Sequence, residues 1–455
     1  MKYFNKLFYK DEIIIFKIVK LLFYSFPIVL FFSSSFLNLH VVLLTFFGFF
    51  AIRKLKINLN LSLIDYLILF FFLINFISTL NNIFTLGNTI FIKSILFFRF
   101  FFFFLVVKKL LLSQIVKLEL LSIISLISSI LLSLDIFLQH LIGFDIFNNP
   151  QFDGRYNGFF EHEAIAGSYL QKFLILSLLV ILLSNLKNII KGILITITVN
   201  IIGLGTLLSF DRMPFLILVF SLFLIFIFLK NFRIIFMFNL IIIITLFFYL
   251  IKNYETLKNR YEYLNRDINF YKILSLPIIN KKFSITSQSQ ESSDFSNKQP
   301  LFFGDYSKLF KAAYHVALQN NFIGSGHKSF IFECIKLRIE NISCNNHPHN
   351  MYLEVLINTG VIGIFIFIII LLVISNKIIK LLFQNYLQKE KYIILVLFFV
   401  FFISEFFPLR SFGSIFTTFN GSIFWFYLGL LSYINNHVIK KNFLLPSKIL
   451  QKYLN

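Results

Sequence analysis

Apolar runs recur from one end of this chain to the other, each about twenty residues long and so able to cross the hydrocarbon core of a bilayer as a helix. Backbone in lipid has no water to bond to, so a spanning segment must satisfy its amides and carbonyls within a helix or around a closed barrel. A barrel would show short segments of alternating polarity, whereas these runs are continuous. With 58% of 455 residues apolar and 14% charged, the pattern predicts an all-α polytopic membrane protein.

Twelve spans are expected, near 13–32, 37–52, 61–78, 89–107, 118–138, 164–184, 192–209, 213–229, 234–251, 351–375, 392–407 and 420–435. They divide one membrane domain into nine amino-terminal spans over 1–251, a large loop over 252–350, and three carboxy-terminal spans over 351–455. The first run lacks a small-residue cleavage site and is followed at once by another span, so it reads as a retained anchor. The 67 phenylalanines supply lipid-facing and packing surface.

Lys and Arg in the short connections set the orientation. Lys2, Lys6 and Lys10, then Arg53, Lys54 and Lys56, then Lys108, Lys109 and Lys117 fall on one face. So do Lys187 and Lys191, Lys230 and Arg233, Lys377 to Lys391, and Lys440 to Lys452. The short loops opposite hold Arg155, Arg212 and Arg410. Both termini are therefore expected in the cytoplasm and the large loop outside. The net charge of +21 is mostly this topology signal, with attraction to anionic membrane lipids, and makes no case for nucleic-acid binding because the basic residues lie in separate loops.

Within the loop, Ser287-Gln288-Ser289-Gln290-Glu291-Ser292-Ser293 is a polar low-complexity patch. Leu309, Phe310, Ala313, Tyr314, Ala317 and Leu318 recur at helical spacing, which predicts an amphipathic helix on the membrane surface, over a cleft, or simply covering the bundle. Cys334 and Cys344 share this external loop, where an oxidising compartment would permit a disulfide.

On the outer side, polar groups of three loops converge. Arg155 precedes the sixth span within Gly154-Arg155-Tyr156-Asn157-Gly158-Phe159-Phe160-Glu161-His162-Glu163, Arg212 closes Ser209-Phe210-Asp211-Arg212, and His347-Pro348-His349-Asn350 opens the tenth span. Such side chains are costly at a membrane boundary unless they do chemistry or bind something. Arginine stays cationic and holds phosphate oxygens through a planar fork, which suits departure of a lipid-linked diphosphate. Histidine at a helix start is disfavoured as imidazolium, so His349 can serve as a base toward a hydroxyl, with Asn350 as a cap or an orienting group. Gly324-Ser325-Gly326 is a candidate phosphate cradle, and equally a turn. Glu405 and Arg410 can pair across the last external loop, or Arg410 can be a third phosphate ligand.

These pieces resemble the bacterial O-antigen ligase and O-antigen polymerase superfamily. The matching elements are Arg155-Tyr-Asn-Gly158-Phe-Phe ahead of a span, Ser209-Phe-Asp-Arg212 after one, Gly324-Ser-Gly326, and His349-Asn350-Met-Tyr352-Leu353-Glu354 with Gly360-Val-Ile-Gly363, over roughly 150–375. The resemblance implies a GT-C-like architecture and a glycan moved from undecaprenyl diphosphate, without metal or other cofactor, on the periplasmic side of the bacterial inner membrane. The acceptor would be a lipid A core for a ligase, or another lipid-linked glycan for a polymerase. By position, His349 resembles the essential histidine, and Arg155 and Arg212 the diphosphate-binding arginines. Two departures stand out: Glu161-His162-Glu163 replaces a stretch that commonly contains Asn, and Ser209-Phe-Asp-Arg212 shifts the usual Ser-Arg register.

Two other readings remain. Glu161 and Glu163 could hold a divalent metal in a polyprenyl-phosphate sugar transferase, although carboxylates at i and i+2 diverge in an extended segment. A flippase for lipid-linked sugars would need polar residues through the bundle, for which Lys93 and Arg99 are candidates, Arg99 alternatively snorkelling or pairing with Asp65.

Overall fold

A computed structural model describes residues 2–57, 60–161, 163–255, 257–259, 261, 304–319, 322–337, 344–383, 388–408 and 410–437. Its elements are α1 Lys2–Val29, α2 Ser34–Lys54, α3 Leu63–Asn81, the single turn α4 Ile83–Leu86, α5 Asn88–Phe97, α6 Arg99–Leu112, α7 Leu118–Ile142 and α8 Ala166–Leu183. There follow α9 Asn188–Leu208, α10 Arg212–Phe228, α11 Arg233–Asn253, α12 Gly304–Gln319, α13 Phe330–Lys336, α14 Met351–Leu382, α15 Lys389–Glu405 and α16 Thr418–His437. Among the described residues the β-structure amounts to two isolated bridges. The polar patch 287–293, His162 and the lysines from 440 onward lie outside the described residues.

Eight helical stretches among the described residues are long and apolar enough to cross a membrane: α2, α3, α5 with α6, α7, α8, α9, α11 with the turn before it, and α14. The apolar α10 is shorter, and α1, α15 and α16 coincide with the other expected spans. The protein is an all-helical, multi-pass membrane protein. The expected fourth span is two helices, α5 and α6, meeting at Phe98.

At the centre stands α8, packed against α7, α9 and α15, with 89% of its apolar window buried. Around it the aromatic residues interlock. Phe426 stacks on Phe26 and Tyr427 on Phe401, each with ring centroids 4.1 Å apart, and Trp425 sits among Phe71, Phe72 and Phe97. Such pairs contribute about 0.5–1.5 kcal/mol each beyond burial, so the phenylalanines define the packing as well as coat the bundle.

Near the start of α3, Asp65 accepts from Lys108 Nζ at 2.6 and 2.7 Å, with both side chains fully buried. The same carboxylate takes the Ser62 amide in a capping box. Asp65 is thus the partner of Lys108, and the pairing with Arg99 weighed above is not made, because the two ends of α6 are too far apart to share one carboxylate.

Helix α14 is broken at Gly360 (φ 65°, ψ −168°). The break releases carbonyls that an unbroken helix would use, and the loop before α14 takes them: Ser325 N donates to Ile357 O at 2.7 Å and Gly326 N to Asn358 O at 3.0 Å. Non-helical backbone at this depth is tolerated because another segment satisfies it. The backbones approach so closely that a Cβ on Gly324 would lie 2.4 Å from Gly360 N. On the outer surface of this joint lies the expected amphipathic helix, α12. It buries Leu309, Ala313 and Ala317 against Phe330 of α13 and Ile357 of α14, leaves Tyr314 and Leu318 exposed, and so covers the bundle. Cys334 and Cys344 are joined by a disulfide, which ties α13 to the segment leading into α14.

Candidate active site

The loop after α7 positions Arg155. Phe152 and Arg155 exchange backbone hydrogen bonds of 3.1 and 3.0 Å, and Asp153 and Gly154 between them both have positive φ, as a two-residue hairpin turn requires. The loop is clamped to the end of α7, where Gln139 accepts from Gly158 N and Asp135 from Ile146 N. The guanidinium therefore stands on a rigid footing. Its Nη1 donates to Asp211 Oδ1 at 3.1 Å, and the side chain remains 28% exposed.

Asp211 is the last residue before α10, so the pair joins the two loops that sequence placed on one face, and Arg212 opens the helix immediately after. The register departure at Ser209-Phe-Asp-Arg212 thus has a structural role, since Asp211 supplies the carboxylate that orients Arg155. Both Asp211 and Arg212 act electrostatically on Tyr261, whose hydroxyl burial pushes upward in pKa. Tyr156 meets His140 and Phe210 edge-on at 5.0 and 5.4 Å, and His140 Nε2 lies 3.1 Å from Tyr254 Oη. Aromatic faces and a hydroxyl beside a phosphate-capable cation form a surface on which a sugar can stack.

His349 has a left-handed backbone (φ 52°), an uncommon conformation for a residue other than glycine, held here by its neighbours. Here Phe412 N donates to His349 O at 2.8 Å. The next residue, Asn350, caps α14 by accepting from Tyr352 N and Leu353 N at 3.0 and 3.1 Å, while its Nδ2 donates to Pro408 O at 2.8 Å. Tyr352 Oη adds a bond to Phe406 O at 2.6 Å. Two loops that are distant in sequence thereby hold one imidazole at the mouth of α14. Burial lowers the His349 pKa below the ordinary histidine value, and its Nε2 lies 3.3 Å from Asn345 Nδ2. An imidazole kept neutral can take a proton from a hydroxyl.

His347 was not among the residues singled out from sequence as site residues. Its ring centroid is 4.1 Å from that of His349, and burial, together with the neighbouring His349, lowers its pKa to about 4 against a hydrogen bond to the Phe412 backbone. Its Nε2 is buried without a hydrogen-bond partner among the described residues. The signal that could have found it is the His-x-His spacing across Pro348, which turns both rings to one side of the turn.

Other candidates take different places. The amides of Ser325 and Gly326, which a phosphate cradle would need, are given to α14 carbonyls, so Gly324 and Gly326 serve the close approach of two backbones. Arg410 is 5% exposed, donates to Glu405, to Ser404 O at 3.3 Å and to Gln171 Oε1 at 3.2 Å, and shares Glu405 with Lys172 at 3.4 Å. The pairing expected across this loop is present. It leaves the guanidinium enclosed and braces Phe412, whose ring lies 5.1 Å from both the Arg410 and the Lys172 cationic centres. Glu161 and Glu163 are exposed, and no group of three potential metal ligands comes together among the described residues.

No curated protein matches the chain. Residues 197–368 match the family model of the O-antigen ligase, a stretch that contains Arg212, the Gly324-Ser-Gly326 joint, His347, His349 and Asn350, while Arg155 reaches it from outside through Asp211 and Arg410 lies outside it. Over that stretch, with its polar site at the mouth of a broken membrane helix, the protein is similar to the O-antigen ligase family.

Proposed function

We propose that the protein is a metal-independent, inverting glycosyltransferase that moves a glycan from undecaprenyl diphosphate to a lipid A core on the periplasmic face of the bacterial inner membrane. In this reading twelve spans place both termini in the cytoplasm and His349 outside. His349 removes the proton of an acceptor hydroxyl, whose oxygen attacks the anomeric carbon as the bond from that carbon to the diphosphate breaks. Undecaprenyl diphosphate leaves with the electron pair, stabilised by Arg212 and by the exposed edge of Arg155. Direct displacement inverts the anomeric centre.

The observation that carries this reading is His349 itself, kept neutral by burial and fixed in a left-handed conformation by Phe412 and Asn350, within the family-matched stretch. The test is transfer by purified protein in lipid nanodiscs with EDTA, given an undecaprenyl-diphosphate glycan with or without a lipid A core. Product on the core that falls at least about a hundredfold in His349→Ala and in Arg212→Ala supports the proposal. Full transfer in both variants, or dependence on added metal, overturns it. Longer lipid-linked chains made without core would identify a polymerase.

A further inference from the structure

Several cations described above are paired with carboxylates: Lys108 with Asp65, Lys172 and Arg410 with Glu405, Arg155 with Asp211. Lys93, Arg99 and Lys328 are different, because among the described residues none of the three makes a salt bridge. Arg99 begins α6 inside the span Asn88–Leu112, on a face whose neighbours Ile92, Ile95, Leu96 and Phe102 are all exposed and so turned to lipid. Its Nη1 donates back to Leu96 O at 2.9 Å, which aims the guanidinium toward the end of the helix that carries the site. The plane lies 4.5 Å from the Phe100 ring, and Nε is buried without a partner among the described residues. Lys93 is exposed one turn and a half nearer that end. Lys328 projects from the loop joint with a left-handed backbone (φ 51°), close enough to feel the charges of Lys93, Arg99 and Glu354. It also acts on His347, which touches His349.

A cationic trail thus runs from a lipid-facing helix surface to the imidazole pair. A cation turned toward lipid is costly unless an anion meets it, and a lipid phosphate is the anion a bilayer supplies there. Arg155 lies after α7 and Arg212 opens α10, on other elements than the trail, which is therefore separate from the donor position proposed above.

We infer that Arg99, Lys93 and Lys328 form a subsite for the phosphate of a saccharide lipid that reaches His349 laterally from the outer leaflet, namely the acceptor of the transfer proposed above, on which this assignment rests. The arginine fork holds the phosphate, and the two lysines guide the attached sugar toward His347 and His349.

Binding tests it without turnover. The detergent-solubilised full chain is titrated with diphosphoryl lipid A, with the same lipid stripped of both phosphates, with phosphatidylglycerol, and with inorganic phosphate, and monodispersity of each variant is checked by gel filtration. The wild type is expected to prefer the diphosphoryl lipid at least about tenfold over the dephosphorylated one. Arg99→Gln and Lys328→Gln each remove most of that preference, while His349→Ala and Arg212→Ala keep it. No preference in the wild type, or full preference in the Arg99→Gln, Lys328→Gln double variant, overturns the subsite. Equal affinity for phosphatidylglycerol overturns its role as an acceptor site, and equal affinity for inorganic phosphate overturns its recognition of a lipid. Loss of preference in Arg99→Gln alongside transfer that ignores His349→Ala would leave the subsite standing and remove the catalytic reading.

Discussion

The two ends of helix α3 lie in different physical regimes. At its start, Asp65, Ser62 and Lys108 form a closed, fully buried set in which each charge meets its opposite. Near its finish, Asn75 and Thr79 hold His327, and Lys328 beside it has a left-handed backbone and no salt bridge among the described residues. Burial, aided by the charges of Lys328, Arg99 and Lys93, lowers the His327 pKa to about 3. Positive-φ backbones occur on both sides, at Lys56 and Gln114 in the connections near the first end and at Asp153, Glu161, Phe210, Lys328 and His349 in the loops that carry the candidate site. One end spends its polar groups on the fold, and the other holds them in conformations the fold must enforce.

The sharpest way to break this contrast is Asp65→Ala, which strands the Lys108 ammonium in the core. It should lower stability by about 3–5 kcal/mol in detergent thermal unfolding, while transfer per folded molecule stays near wild type. A loss of turnover without loss of stability would show that the two ends are not separable. Next comes Cys334→Ser with Cys344→Ser. Opening a bridge of sequence separation 10 should cost about 2–3 kcal/mol. Limited proteolysis should then cut the approach to His349 first, and transfer should fall.

Asn350→Ala removes the α14 cap and the strut to Pro408, at about 1 kcal/mol of stability. Because His349 is its neighbour, turnover should fall by more than that stability loss explains, as kcat measured on gel-filtered protein would show. The smallest effect is on pH. A lowered His349 pKa keeps the base neutral in mild acid, so the acid limb of kcat/KM should lie below pH 6.5. His347 has the same sign in stability: with a folded value of about 4 against an ordinary 6.5, the unfolded chain takes the proton first. Its contribution is complete above pH 6.5 and is lost as pH falls toward 4, which a thermal-unfolding series across that window would reveal.

Much of this was legible in the sequence. Run length gave the helices, because a spanning segment must satisfy its own backbone and so writes its period into twenty consecutive residues. The amphipathic α12 was expected, and the shared loop of Cys334 and Cys344 left open a disulfide that the structure makes. Pairing between distant segments was not legible. Nothing local marks Asp65 as the partner of Lys108, or Asp211 as the carboxylate for Arg155, since those contacts depend on how helices pack. Gly324 and Gly360 were read as a possible phosphate loop and as a motif. Their shared purpose emerges only when two backbones 36 positions apart meet.

That meeting has a consequence for anyone recombining this protein with its relatives. The loop before α14 is hydrogen-bonded into the break of α14 through Ser325 and Gly326, and into the end of α3 where Asn82 reaches Gly324 O and Thr79 receives the His327 amide. A chimera that exchanges the loop alone would import amides and carbonyls whose counterparts stayed behind, and the joint would be lost. The exchangeable cassette is the loop together with α14 and the last turns of α3.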